Sequence, residues 1–162
     1  MPQDKTPPAD AETLAEALRF LGAQHGALAY SDPDGWPGIS RIATGLDGAG
    51  LPVTLISALS QHHAGLAHSP AWALMLGEPG AKGDPLTHPR LMIRATAAFV
   101  PRPSPDHAAL REIWLQSHPK AKLYIDFADF SFVRLVPVSA LFNGGFGRAF
   151  TLRADQIRHP AP

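Results

Sequence analysis

The sequence predicts a mainly β fold, a small antiparallel barrel that carries helical decorations. About six short stretches have the length and residue types of strands, a number typical of small barrels. Turns rich in glycine and proline separate them, and the 162 residues include 14 glycines and 17 prolines. Helical patterns are few and do not alternate with the strands, which disfavours a doubly wound parallel sheet.

Each predicted helix begins at a residue that favours N-caps, because a short polar side chain there can accept a hydrogen bond from a free backbone N–H. The first helix is closed by Gly22, the second ends at His68, and the third is divided at His118–Pro119 from a short helical piece over Lys120–Asp126. The three predicted caps are Asp10, Ser60 and Ser104.

The predicted strands alternate or run apolar between turn residues. They cover residues 27–30, 39–46, 52–57, 72–76, 90–100 and 130–138. Residues 77–89 are expected to form an irregular loop. We expect residues 1–9 to be a flexible tail and residues 10–162 to be one domain, because this length suits a single hydrophobic core.

Composition excludes several classes of function. Lys plus Arg and Asp plus Glu both number 14, whereas a protein that neutralises a nucleic-acid backbone is normally basic. The absence of cysteine excludes disulfides, thiolate catalysis and Cys-ligated metals. The N-terminus lacks the basic and apolar regions of a signal peptide, and no apolar stretch is long enough to span a bilayer. We therefore expect a cytoplasmic protein that binds neither nucleic acid nor membrane.

The stretch ISALSQHHAGL carries the clearest candidate site. A strand ends at Ser57 and a helix begins near Ser60, so free N–H groups at the helix start, with His62 and His63, form a plausible phosphate site. The alternative is a capped helix with two solvated histidines. Motifs of a metal site (HExxH), a hydrolase (GxSxG) or a Rossmann fold (GxGxxG) are absent, and we predict no metal ion.

Two cations are further candidates. Arg41 lies within a predicted strand, on the same face as Ile39 and Ala43, and needs an anionic partner if it is buried. A ligand phosphate or a carboxylate of a neighbouring subunit would serve. Lys82 is flanked by glycines and either reaches a ligand or remains in solvent.

The motifs GDPL followed by HPR, HPKA with DFADF, and NGGFGRA occur in the order found in a known family. With ISALSQHHAGL, they give a chain that resembles the pyridoxamine-5′-phosphate-oxidase-like, FMN-binding split-barrel proteins over about residues 12–153, and most closely the HugZ-like haem-utilisation branch. The resemblance implies a six-stranded split barrel, a homodimer with flavin mononucleotide (FMN) at the subunit interface, and an oxidoreductase that acts on an unknown small molecule.

The resemblance also implies roles for particular residues. The flavin phosphate would be held by Arg41, Ser57, Ser60, His62 and His63, and a loop position near the flavin corresponds to Lys82. The C-terminal segment that approaches the dimer interface corresponds to Asn143, Phe146 and Arg148. No acid–base residue is implied.

Two alternatives remain open at this level. The oxidase has Arg-Lys at the helix start where this chain has Gln61-His62, and neutral imidazole binds phosphate less strongly than ammonium does. This difference favours one alternative, a flavin-free interaction protein on the same dimeric barrel. The other alternative is a haem-binding or haem-utilisation protein, in which a single histidine ligates the iron. The candidate haem ligands are His25, His62, His63, His68 and His88.

Overall fold

The computed structural model describes residues 6–159 and consists of eight strands and three α-helices within that range. The helices are α1 (Ala11–Leu18), α2 (Gln61–His68) and α3 (Pro105–Ser117). The strands are β1 (His25–Ser31), β2 (Pro37–Ala43), β3 (Gly45–Leu46), β4 (Pro52–Ser57), β5 (Ala71–Leu76), β6 (Arg90–Phe99), β7 (Phe130–Asn143) and β8 (Ala149–Arg153). Short 3-10 helices cover Arg19–Gly22, Pro85–Thr87, Pro119–Leu123 and Ala154–Gln156.

All strands belong to one antiparallel sheet in the order β2-β1-β5-β6-β7-β4-β3, and β8 adds to β7. The two ends of this order, β2 and β3, are separated in the chain by Thr44 alone. The sheet must therefore curl until its ends meet, which makes it a barrel. No ladder joins β2 to β4 within the described residues, so the barrel is split along that line. The predicted mainly β, split-barrel fold class is confirmed.

The predicted count of six strands was wrong, and two local features explain the difference. Thr44 remains bound to the β1 side, donating its N–H to the Gln24 carbonyl (2.9 Å) and its hydroxyl to the Ala23 carbonyl (2.7 Å). Gly45 pairs instead with Val53, so the single strand expected over residues 39–46 is divided in two. At the C-terminal end, β7 continues to Asn143, and the turn after it returns the chain as β8, which was not predicted.

The predicted helix caps are confirmed. The Asp10 carboxylate accepts the Thr13 N–H (2.9 Å), and the Ser104 hydroxyl accepts the His107 N–H (3.0 Å). Ser60 caps α2 in the same way, accepting the His63 N–H at 3.3 Å. Each contact satisfies one of the backbone donors that a helix start leaves unpaired.

The core has two parts, one on each face of the sheet. The barrel interior holds residues such as Leu28, Leu74, Ile93, Leu135 and Phe142, with Ala17 and Leu21 closing one side and Leu66 of α2 another. On the outer face, Leu110 and Trp114 of α3 pack against Val53, Leu55 and Phe132. Because side chains alternate along a strand, α3 covers the outer face of β4, beside the split.

The N-terminal segment makes contact with β8. Pro7 accepts a hydrogen bond from the Thr151 N–H (2.9 Å), and the Ala9 N–H donates to the Thr151 carbonyl (3.2 Å). Residues 1–5 of the predicted tail lie outside the described residues. No helix in the part of the chain that the structure describes is long and apolar enough to cross a membrane.

Candidate functional site

The split between β2 and β4 brings two of the predicted residues together. The β3–β4 register of Gly45 with Val53, if extended past Thr44, would set Arg41 on β2 level with Ser57 on β4, although the two strands form no ladder. The two strands remain in contact, because the Thr54 hydroxyl donates to the Ala43 carbonyl at 2.7 Å. Arg41 and Ser57 thus lie on either side of the split.

Arg41 is exposed, so it lacks the need for an anionic partner that burial would bring. Its side chain points to the outer face of the barrel, as the period-2 pattern with Ile39 and Ala43 indicated. The guanidinium has no hydrogen bond or ion pair to any described residue. It is the cation that this end of the split offers to a ligand.

Ser57 is already occupied by a carboxylate. Its hydroxyl donates to Oδ2 of Asp129 at 2.5 Å and accepts the Leu59 N–H at 3.1 Å. The Ala58 N–H also donates to the Asp129 carbonyl (2.7 Å), so the two segments are joined twice. Asp129 lies in the DFADF motif, and nothing in the local sequence indicates this contact.

The start of α2 retains free backbone donors. The Ser60 hydroxyl donates to the Ser57 carbonyl (2.7 Å) while it caps the His63 N–H. The N–H groups of Gln61 and His62 have no hydrogen-bond partner among the described residues, as expected for the first positions of a helix. They are available to an anion.

The two histidines at this helix start differ from the cationic pair that a phosphate favours. His62 is half-buried, with its ring edge-on to Tyr30 at 6.2 Å between centroids. Burial lowers the pKa of His62 below its ordinary value, and the neighbouring His63 lowers it further. His62 is therefore neutral at pH 7. His63 packs edge-on against Phe99, with centroids 5.1 Å apart.

An apolar, aromatic rim lies beside Ser57, on the β7 side of β4. Phe130, the partner of Ser57 in the sheet, contacts the rings of Tyr124 (4.9 Å) and Phe127 (6.4 Å). Leu59 lies in the turn before α2 and is 90% exposed. A flat ring system has apolar surface to pack on here.

The remaining predicted residues lie at the other end of β7. Phe130 pairs with Ser57 and Asn143 pairs with Arg90, and the 13 steps between them span roughly 40 Å of strand at about 3.3 Å each. One chain therefore does not bring Lys82, Asn143, Phe146 and Arg148 to the Arg41 end of the split.

Two of these four side chains have local surroundings that explain them. The Asn143 amide oxygen accepts the Gly145 N–H (3.0 Å) and shapes the turn before β8. Arg148 donates to Glu16 of α1 (3.0 Å) and to the Gly144 carbonyl (3.3 Å). Phe146, by contrast, is 94% exposed and has nothing to pack on. The Lys82 side chain is exposed as well.

The candidate haem ligands differ in whether their ring nitrogens are already hydrogen-bonded. Both ring nitrogens of His88 are used within its loop, by the Gly80 N–H (2.9 Å) and the Lys82 carbonyl (2.9 Å). His25 lies 3.4 Å from Glu78. His62, His63 and His68 on α2 have no hydrogen bond to their ring nitrogens among the described residues. No group of three or more metal-ligating side chains occurs in residues 6–159.

Comparison with known proteins places this arrangement in a family. No family model matches the chain. The non-canonical heme oxygenase HOZ of Arabidopsis thaliana chloroplasts is 32% identical over 117 residues, which is 72% of this chain and 35% of that protein. A heme binding protein from Mycobacterium smegmatis is 32% identical, covering 92% of this chain and 61% of its own, with a TM-score of 0.79.

A second solved structure shows the fold alone. A Clostridium acetobutylicum protein related to general stress protein 26, of the pyridoxinephosphate oxidase family, has a TM-score of 0.68 at 16% identity, over 92% of this chain and 99% of that one. The chain spans about a third of the curated relative's length and about three fifths of the mycobacterial protein's.

The split barrel is the fold of the pyridoxamine-5′-phosphate-oxidase-like proteins. The chain belongs to this split-barrel family, in the HugZ-like branch that its sequence motifs indicate.

Proposed function

We propose that this protein binds haem at the split between β2 and β4. The observation that carries the proposal is the combination of an unpaired cation, Arg41, with an apolar aromatic rim. Two relatives at 32% identity, named as a heme oxygenase and a heme binding protein, support it. A porphyrin is a flat apolar ring with carboxylates at one edge, and the two features suit those two parts.

The residues present fit the group. Arg41 would hold a propionate, because a guanidinium binds a carboxylate through two parallel hydrogen bonds. Phe127 and Phe130 would pack on the macrocycle. A histidine of α2 would ligate the iron, and His62 is held in the neutral form that ligation requires. When bound, haem supplies an iron centre whose reactivity depends on its axial ligand and surroundings.

The proposed assembly is a homodimer with the ligand at the subunit interface. Its support is an apolar outer sheet face, on which Ile39, Met75, Val136 and Val138 are exposed. Such a patch on a protein surface is typical of an interaction site. A two-fold partner would also supply Lys82, Asn143, Phe146 and Arg148, which lie far from Arg41 in one chain.

A haem titration tests the binding proposal. Added to the purified protein, haem should give a sharp, saturable Soret shift, and one of His62→Ala, His63→Ala or His68→Ala should abolish it. His25→Ala is the matched control, because His25 lies on the outer face beside Glu78. A gradual, non-saturating change, or a shift that survives all three α2 variants, contradicts the proposal.

FMN is a second candidate, favoured by the free N–H groups of Gln61 and His62 at the start of α2, which follows β4, and by the unpaired Arg41 on β2. These groups would bind the flavin phosphate, and FMN would supply hydride transfer for an oxidoreductase of unknown substrate. Arg41→Ala removes a charge-assisted hydrogen bond worth about 1.5–3 kcal/mol, so FMN affinity should fall roughly 10- to 150-fold. Riboflavin, which lacks the phosphate, should be nearly indifferent. Equal losses for the two flavins would rule out this phosphate role.

A further inference from the structure

The charges at the split are nearly balanced before any ligand binds. Arg41 lies on the β2 side, and the Asp129 carboxylate lies against Ser57 on the β4 side. No ion pair joins Arg41 to Asp129 among the described residues, so neither charge is neutralised by the other. His62 adds no positive charge at pH 7, because burial lowers its pKa and the imidazole is neutral.

The hydrogen bonds of the Ser57 hydroxyl make the split still less favourable to an anionic ligand. A hydroxyl has one proton, and Ser57 uses it in the hydrogen bond to Asp129, with 2.5 Å between Oγ and Oδ2. Its oxygen then presents only lone pairs to the split, and one of these accepts the Leu59 N–H. An anionic ligand beside Ser57 meets an acceptor and a carboxylate where the fold otherwise offers a donor.

The carboxylate is also held in place. The Arg102 guanidinium donates to the carbonyls of Asp126 (2.8 Å) and Phe127 (2.9 Å). Arg111 forms two hydrogen bonds to the Asp126 carboxylate, at 2.8 and 2.7 Å. With the Ala58–Asp129 backbone bond, these contacts fix the segment from Asp126 to Asp129. Asp129 is therefore a fixed negative charge.

We infer that Asp129 sets the charge selectivity of the split, disfavouring a phosphate dianion and leaving Arg41 to a singly charged carboxylate. A phosphate monoester carries about −1.5 to −2 charges at pH 7, which one guanidinium does not compensate beside a second anion. A carboxylate pairs with Arg41 one to one. The inference rests on the proposed function, because it takes the split as the ligand site, and it names the ligand group that this site prefers.

The test compares FMN with riboflavin, which has the same ring without the phosphate. Both are titrated by fluorescence quenching against the parent protein, Asp129→Asn and Glu12→Gln. Asparagine keeps an oxygen that accepts the Ser57 hydroxyl but removes the charge. Glu12 is an exposed residue of α1, so Glu12→Gln makes the same charge change away from the split.

We expect Asp129→Asn to raise the FMN affinity relative to riboflavin by about tenfold or more. Riboflavin affinity should stay within about twofold, a range typical of neutral surface changes. Glu12→Gln and Asp129→Glu should retain the parent ratio, and Asp129→Ser provides a second charge-removing variant. The inference is overturned if the ratio of FMN to riboflavin affinity is unchanged in both Asp129→Asn and Asp129→Ser. It is also overturned if neither the parent nor any of these variants binds FMN. A missing Soret shift in the parent overturns the haem proposal separately, because the flavin ratio does not depend on it.

Discussion

Gly65 of α2 provides a sharp test of how the candidate site is built. A Cβ at this position would lie 2.5 Å from Cδ2 of Tyr30 and 2.8 Å from the Ser31 carbonyl oxygen. The tyrosine ring can shift, but the carbonyl belongs to β1 and cannot move without disturbing the sheet. Gly65→Ala should therefore push α2, and the histidines on it, away from the barrel.

Two effects of opposite sign determine the magnitude. Alanine favours a helix over glycine by about 1 kcal/mol. Overpacking a filled site costs about 1–3 kcal/mol, and contact with backbone places this case at the upper end. The free energy of unfolding should therefore fall by about 2 kcal/mol. With a urea m-value of about 2 kcal/mol/M, the midpoint should decrease by about 1 M.

Equilibrium urea denaturation measures the effect, and Gly22→Ala is the matched control. No atom lies within 4 Å of the Cβ that alanine would add at Gly22. Its midpoint should remain close to that of the parent. A Gly65→Ala midpoint equal to or above the parent value would refute the proposed packing of α2 on β1.

Three further outcomes are expected. Arg134→Met should lower the unfolding free energy by about 3 kcal/mol in urea denaturation, because it leaves the Asp47 carboxylate buried without its 2.7 Å partner. The exposed Arg153–Asp155 pair is the control, and Arg153→Met should change the unfolding free energy little. Burial lowers the pKa of His107, so the unfolded chain takes up the proton first and stability falls as the pH drops below about 6.5. Denaturation at pH 7.5 and 5.5 should show a smaller fall for His107→Leu, and an equal fall would assign the acid sensitivity to other groups. Ile39→Glu should convert the proposed dimer to a folded monomer in sedimentation velocity, because Ile39 is 77% exposed on the outer face; an unchanged sedimentation coefficient would place the interface elsewhere.

Local signals predicted much of the fold. The bounds of β4 and α2 match the sequence prediction, because a cap such as Ser60 acts on residues three positions away and needs no distant partner. The strand that becomes β2 and β3 was not divided in the prediction, because the break at Thr44 depends on hydrogen bonds to Ala23 and Gln24.

The site was less accessible to sequence reasoning, because its geometry depends on strand register. The Ser57–Asp129 contact joins residues 72 positions apart, and only the β4–β7 pairing brings them together. Alternation placed Arg41 on the correct face, but which face is covered depends on α3, which packs over β4 and leaves Arg41 exposed. The sequence motifs supplied the family, whereas the charge of the site became evident only from these contacts.

Because no ladder joins β2 to β4, hydrogen exchange along β2 can show whether a ligand is bound at the split. The backbone amides of β2 that face the split have no ladder partner, whereas β7 is paired with β6 on one side and with β4 and β8 on the other. In hydrogen–deuterium exchange, β2 should therefore label early and residues 139–143 of β7, which pair with both β6 and β8, late. A ligand that bridges Arg41 and Ser57 would tie the two edges together, so slowed labelling of β2 would register its arrival without any colour change.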